Sequence, residues 1–367
     1  MSSKLVMTRP SLEFISSFKS SCMQIKSDMQ FRSAIKTGFG SRKVCSHSFP
    51  MENSIYATSN KGLFRIDSDG IYRLSSIPMY GCAITREHVF MVAQIHKRSM
   101  LVRGDLASRE LTSMSNPSIL YESRANSTNE RIHQINIGAG FLWVANTGRN
   151  SILKVDLVSG QVLSEIWPFT DEFGEPFICD QNHINSVNAY GDFIVFTAYK
   201  AGGRSLVGLI DCDMNVTGFH YKNKGVHDIY IEEGDFYICD TFGDADEESG
   251  GSVITRRGCL AGDVFDGAPG YVTRGLVKSG DQIIVGHSHK GVRSKRFKGN
   301  GSLLLIRNEK LQSEIKMPFA QTYQLFRSDG LSFDPVPDLS SSAVLGMFRE
   351  RLDSPVYSAS ALVRDTL

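Results

Sequence analysis

Three histidines occupy comparable places in a recurring pattern: His133 in IHQINI, His183 in HINSVN and His227 in VHDIYI. Imidazoles that converge on one point suit iron, zinc, manganese or copper and leave coordination positions open for water or substrate. Calcium prefers oxygen donors and is the weaker expectation. A metal so held lowers the pKa of bound water to about 7 or polarises a carbonyl. His133, His183 and His227 are therefore the candidate metal ligands. Arg274, at the start of TRGLVK, is costly to bury without a negative partner, and its planar fork grips carboxylates and phosphates. Arg274, Asp228 and Tyr80 are the candidate catalytic residues, the last two as groups that move protons. Asn146, Arg149, Asn185, Lys200, Asp240 and His287 are candidate substrate contacts, with Asn185 and Asp228 also able to support a metal. The competing role for each histidine is structural, as a buried polar group bonded between strands. Three adjacent repeats with different neighbours (HQI, HIN, HDI) weigh against one repeated structural device, and contacts to substrate without metal are a third option.

The elements that must position these residues repeat. Short apolar runs with an aromatic follow turn residues: NSIYAT from Asn53, HVFMVA from His88, FLWVAN from Phe141, DFIVFTA from Asp192, DFYICD from Asp235 and DQIIVG from Asp281. Each is followed by a second run, such as GLFRID from Gly62 or SILKVD from Ser151, and then by a shorter third one. Upstream of each lies one more strand: VCSHSF, YGCAIT, IHQINI, HINSVN, VHDIYI and TRGLVK. Four strands recurring about every 45 residues define an all-β chain, a β-propeller of six four-stranded blades. The missing 3.6-residue periodicity excludes a helical solenoid.

In such a fold the first strand lines the central channel, and its start shares a face with the end of the second strand. His133 and His227 are then in register with Tyr80 and Thr273, and His183 is one residue out, an offset that a β-bulge absorbs. The second strands bring Asn146, Tyr199, Asp240 and His287 to that face, with Arg149 and Lys200 just beyond. Trp143, Phe193 and Phe236 belong to the packing between sheets. The loops there carry an acidic stretch (Asp244 to Glu248) and a basic one (Lys290 to Lys298), both read as solvated.

Residues 38–327 form the propeller, preceded by an extension of residues 1–37 and followed by a tail of residues 328–367 that closes the fold in part or is disordered. The extension is rich in Lys, Arg and Ser. It reads as an amphipathic lead-in helix carrying Phe14, Phe18, Ile25 and Met29, with an organelle transit segment as the alternative to a cytoplasmic location. Net charge is +1, from 40 basic and 39 acidic residues, so no overall field favours nucleic acid. No apolar run reaches the roughly 18 residues that span a bilayer. Seven cysteines without close pairs suit neither a disulfide framework nor a zinc knuckle, and read as reduced, mostly buried thiols. No phosphate-cradling glycine loop, GxSxG or HExxH is present.

The run RIHQINIGAGFLWVANTGRNSILKVDL from Arg131, with HINSV, GVHDI and RGL after it, resembles a family of uncharacterised bacterial propeller proteins over about residues 78–310. That resemblance implies a fold and a shared site. More distantly, the architecture is similar to the gluconolactonase, paraoxonase and strictosidine synthase superfamily, whose metal-dependent hydrolases hold calcium with Glu, Asn and Asp. Histidines stand in that region here, which departs from calcium and lactonase chemistry. A channel site made of histidines is also similar to that of carotenoid oxygenases, which use four on a seven-bladed propeller.

The expectation is a metal-dependent enzyme acting on a small, polar, anionic molecule, by hydrolysis or lyase chemistry ahead of oxidation. The alternatives are a histidine-ligated metal oxygenase or oxidase, and a non-catalytic propeller whose top face binds a protein or glycan.

Overall fold

A computed structural model describes residues 33, 39–46, 48–51, 53–95, 98–106, 114–122, 132–199, 204–221, 225–232, 234–242, 251–260, 271–289, 298–327, 339–352 and 355–365. The expected lead-in helix, Lys200, the acidic stretch and residues 290–297 of the basic one lie outside them. The described strands form six antiparallel sheets. Their inner strands are Thr322–Arg327 in blade 1, Met79–Ile84 in blade 2, Ile135–Gly138 in blade 3, Ile184–Tyr190 in blade 4, Val226–Glu232 in blade 5 and Tyr271–Ser279 in blade 6. Each inner strand touches the inner strand of the next blade, and blade 6 returns to blade 1, so the ring is closed. The chain is a six-bladed β-propeller.

Apolar side chains drive this arrangement. Six buried clusters fill the six junctions between neighbouring blades. The second strand of blade 4, Phe193–Ala198, shows why its sequence reads as an unbroken apolar run. Successive side chains point to opposite faces, so Val195 enters the junction with blade 5 while Ile194 and Phe196 enter that with blade 3. Trp143, Phe193 and Phe236 are buried in these junctions. Trp167 and Phe169 are buried too, and the Phe169 ring lies 5.8 Å from Phe196 of the next blade.

Closure differs from the sequence expectation. The segment VCSHSF does not supply the inner strand of blade 1. Residues Phe39–Ser46 instead pair with Gly70–Ser75 on the outer edge of that blade, and the inner place is taken by Thr322–Arg327, paired with Ile55–Ser59. One sheet thus joins both ends of the propeller and locks the ring. Beyond it, the helix Ser341–Arg351 is capped by Ser340 Oγ and docks Phe348 against Phe219 of blade 4 and Phe236 of blade 5. Pro355–Ser360 then adds a fifth strand to blade 4, and Leu362–Asp365 a fifth to blade 3. Of the six described cysteines, all free, four are exposed and only Cys82 and Cys239 are buried, a correction to the expected buried thiols. Among the described residues no helix is long and apolar enough to cross a membrane.

Candidate functional site

The channel mouth is built by a repeated irregularity. Near its start each inner strand places two residues opposite one of the second strand, a β-bulge. The registers shift at Tyr323 in blade 1, Tyr80 in blade 2, Asn185 in blade 4, His227 and Asp228 in blade 5, and Gly275 in blade 6. In blade 3, His133 and Gln134 both bond Ala145, by His133 N–H to its carbonyl at 2.9 Å and by its N–H to the Gln134 carbonyl at 3.0 Å. A bulge bends the strand and re-aims the side chains on it. Six at one height open a ring of polar residues. The resulting pocket, about 270 Å³ including its open mouth, is lined by Tyr80, His133, Gln134, Asn185, Ser186, His227, Asp228, Arg274 and Tyr323.

The histidine tautomers follow from their partners. His133 Nδ1 lies 2.7 Å from Thr147 Oγ1, whose single proton goes to the Ile184 carbonyl at 2.5 Å. His133 must therefore be the donor at Nδ1. His227 Nδ1 faces the Gly225 carbonyl at 3.0 Å and Thr241 Oγ1 at 2.5 Å, and that hydroxyl gives its proton to the Thr273 carbonyl. His183 Nδ1 lies 2.6 Å from a carboxylate oxygen of Asp180. All three imidazoles thus donate from Nδ1 and turn Nε2 away from these partners. Burial, and then the charge of Arg274, hold His227 well below the usual histidine range, so it is neutral. Its Nε2 accepts a hydrogen bond from Arg274 Nη2.

Beneath the histidines Asp228 accepts from Gln134 Nε2 and, at 2.8 Å, from the Gly275 N–H. Gly275 has φ 75°, and this left-handed turn lets its N–H meet the carboxylate. Burial raises Asp228 to about 6, against the lowering effect of that N–H, of Arg274 and of Gln134. Lower still, Gln324 crosses the channel from blade 1, donating to the Ile135 carbonyl at 2.7 Å and accepting from the Cys82 N–H at 3.2 Å.

Of the residues singled out in the sequence, Tyr80, His133, Asn185, His227, Asp228 and Arg274 meet in this pocket. Asn185 also bonds the Val226 carbonyl at 3.0 Å and so ties blade 4 to blade 5. His183 stands at the rim with a left-handed backbone, φ 57°, its ring 5.0 Å from that of His133. The other candidates are placed elsewhere. Asn146 and Arg149 converge on Glu165, at 3.3 and 3.1 Å, and Arg149 lies over the Trp167 ring. Asp240 accepts from Tyr221 at 3.2 Å. His287 stacks on Tyr271 within blade 6, centroids 4.3 Å apart. Gln134, Ser186 and Tyr323 were not anticipated. Gln134 follows His133 directly, and Tyr323 belongs to TYQLF, the closing strand.

Among the described residues no three His, Cys, Asp or Glu side chains stand close enough to hold a metal as they are. Arg274 takes the Nε2 position of His227.

Fold and site together define a six-bladed propeller with a polar pocket in its channel mouth. No protein-family model matches the chain, and no curated protein does. The resemblance of the IHQI, HINSV, VHDI and RGL motifs to an uncharacterised bacterial family therefore remains one of motifs. Similar solved structures include a nidogen/laminin complex, at 9% identity and TM-score 0.49 over 77% of this chain and 99% of that one. A Bacteroides caccae protein of unknown function is similar at 14% and 0.46, over 75% and 98%. Virginiamycin B lyase from Staphylococcus aureus is similar at 15% and 0.42, over 65% and 70%. Likeness at this level carries no argument about activity.

Proposed function

We propose that the chain is an enzyme acting on a small, polar, anionic molecule in the channel mouth, with a divalent transition metal held by Nε2 of His133, His183 and His227. The observation that carries this reading is the shared tautomer. Each imidazole gives Nδ1–H to an acceptor that fixes the ring and leaves Nε2 as the nitrogen available to a ligand, the arrangement usual for histidines that bind metal. Ligation by His227 requires Arg274 to leave its Nε2, and a carboxylate or phosphate would receive the guanidinium through two parallel bonds. The metal would supply an activated water or a polarised oxygen. Arg274 would orient the anion, and Tyr80 or Asp228 would handle protons in a hydrolytic or lyase step.

The contact between Arg274 and His227 also favours a second reading. The pocket then works without metal, and the imidazoles accept hydrogen bonds from substrate hydroxyls or amines. Metal analysis of protein purified without a histidine tag separates the two. The metal reading expects close to one equivalent of a transition metal, falling strongly in His183→Ala with the fold retained. Metal-free protein, or full occupancy in the triple alanine variant, overturns it.

A further inference from the structure

A chain of ring contacts starts in the pocket, with Tyr323, Tyr80 and His133 in its lining, and runs on beyond it. Tyr323 stacks on Tyr80, centroids 4.3 Å apart and planes 10° apart. Tyr80 leans on His133 at 5.1 Å, His133 meets His183 at 5.0 Å, His183 meets Tyr199 at 5.7 Å, and Tyr199 meets Phe242 at 5.9 Å. Blades 1 to 5 each contribute at least one ring. Blade 6 contributes Arg274 at the same height.

Rings recruited only for packing would be buried, as Phe90, Phe196 and Phe236 are. Here Tyr80, His183, Tyr199, Phe242 and Tyr323 all keep part of their surface exposed. The remaining exposed edges and faces of these rings are complementary to a flat π-surface, which prefers offset-stacked or edge-on contact at such separations. The pocket is narrow and open at its mouth, so a ring would lie across the mouth against these side chains rather than deep in the channel.

From the ring chain and the single guanidinium, we propose that the ligand is a planar aromatic or heteroaromatic acid. Its ring lies against Tyr80 and Tyr323, and its carboxylate or comparable anionic group is held by Arg274. This deepens the reading of the pocket as a small-anion site, and it does not depend on the metal.

Three probes of equal charge test it on the full, untagged chain: benzoate, cyclohexanecarboxylate and acetate, titrated by calorimetry. Benzoate is expected to bind about five- to tenfold more tightly than cyclohexanecarboxylate, the advantage of an aromatic contact beyond area alone, and acetate more weakly than either. Tyr80→Leu and Tyr323→Leu should each reduce that preference to about twofold or less, while Tyr80→Phe keeps it. Equal binding of benzoate and cyclohexanecarboxylate overturns the proposal, as does a preference that survives both leucine variants, or no binding of benzoate at all. Protein that prefers benzoate but carries no metal would refute the metal reading and leave this one standing.

Discussion

Acid should weaken the propeller through His287, and the size of the effect follows from where the ring sits. His287 is 5% exposed in the second strand of blade 6, flat against Tyr271. The charged groups that act on it, Glu314 and Lys316, come from the outer strand of that blade. Burial pushes the imidazole down to about 4; Glu314 opposes that shift and Lys316 adds to it. An unfolded chain binds the proton near pH 6.5, the folded one only near 4, so the unfolded state gains protons first as pH falls. Stability is therefore full above about pH 6.5, declines as pH falls towards 4, and loses nothing more from this group below that. At about 1.4 kcal/mol per unit, the loss between about pH 7 and pH 4.5 comes to about 2.5 kcal/mol. Urea unfolding at both values, for the wild type and for His287→Phe, isolates this group from Glu314 and the other carboxylates. The variant keeps a ring on Tyr271 and should lose about 2.5 kcal/mol less than the wild type. Parallel losses in the two proteins would refute the argument.

The blade-to-blade latches give a second expectation. Thr147→Val and Thr241→Val remove hydroxyls that accept from a histidine and donate to the next blade, so each should cost about 1–3 kcal/mol in urea unfolding; costs below about 0.5 kcal/mol would mean the latches do not hold blades together. Arg149→Ala should lower stability by a similar 1–3 kcal/mol while leaving benzoate affinity unchanged, because its partner is Glu165 and not the pocket. A fall in affinity at unchanged stability would return Arg149 to the site.

The blades were legible because each sheet is buried on both faces, so its strands read as apolar runs between turn residues. Closure was not legible in the same way. Thr322–Arg327 meets Ile55–Ser59 across most of the chain, and local pattern cannot tell that strand from Phe39–Ser46, which is also a strand but joins the outer edge. His133 and His227 were found because register alone places them at the start of an inner strand. Asn146, Asp240 and His287 were aimed at the channel from their place in second strands. Side chains on a second strand point above and below the sheet, into the junctions, and there these three found Glu165, Tyr221 and Tyr271. Tyr323 was missed together with its strand. Gln134 was missed because an amide in an apolar run carries no signal of its own.

The bulges bear on how such a protein changes over time. A bulged residue stands outside the ladder, so its side chain is released from the alternation that assigns its neighbours to one junction or the other. Tyr323, Tyr80, Gln134, Asn185 and Asp228 form a collar of polar parts, closed in blade 6 by Gly275, resting on six interlocked wedges of packed hydrocarbon. Exchanging the collar residue of one blade leaves the wedges on the far side of the ring intact. New chemistry can then be tried one blade at a time, and a designer who varies only the collar works with the same separation that the chain already has.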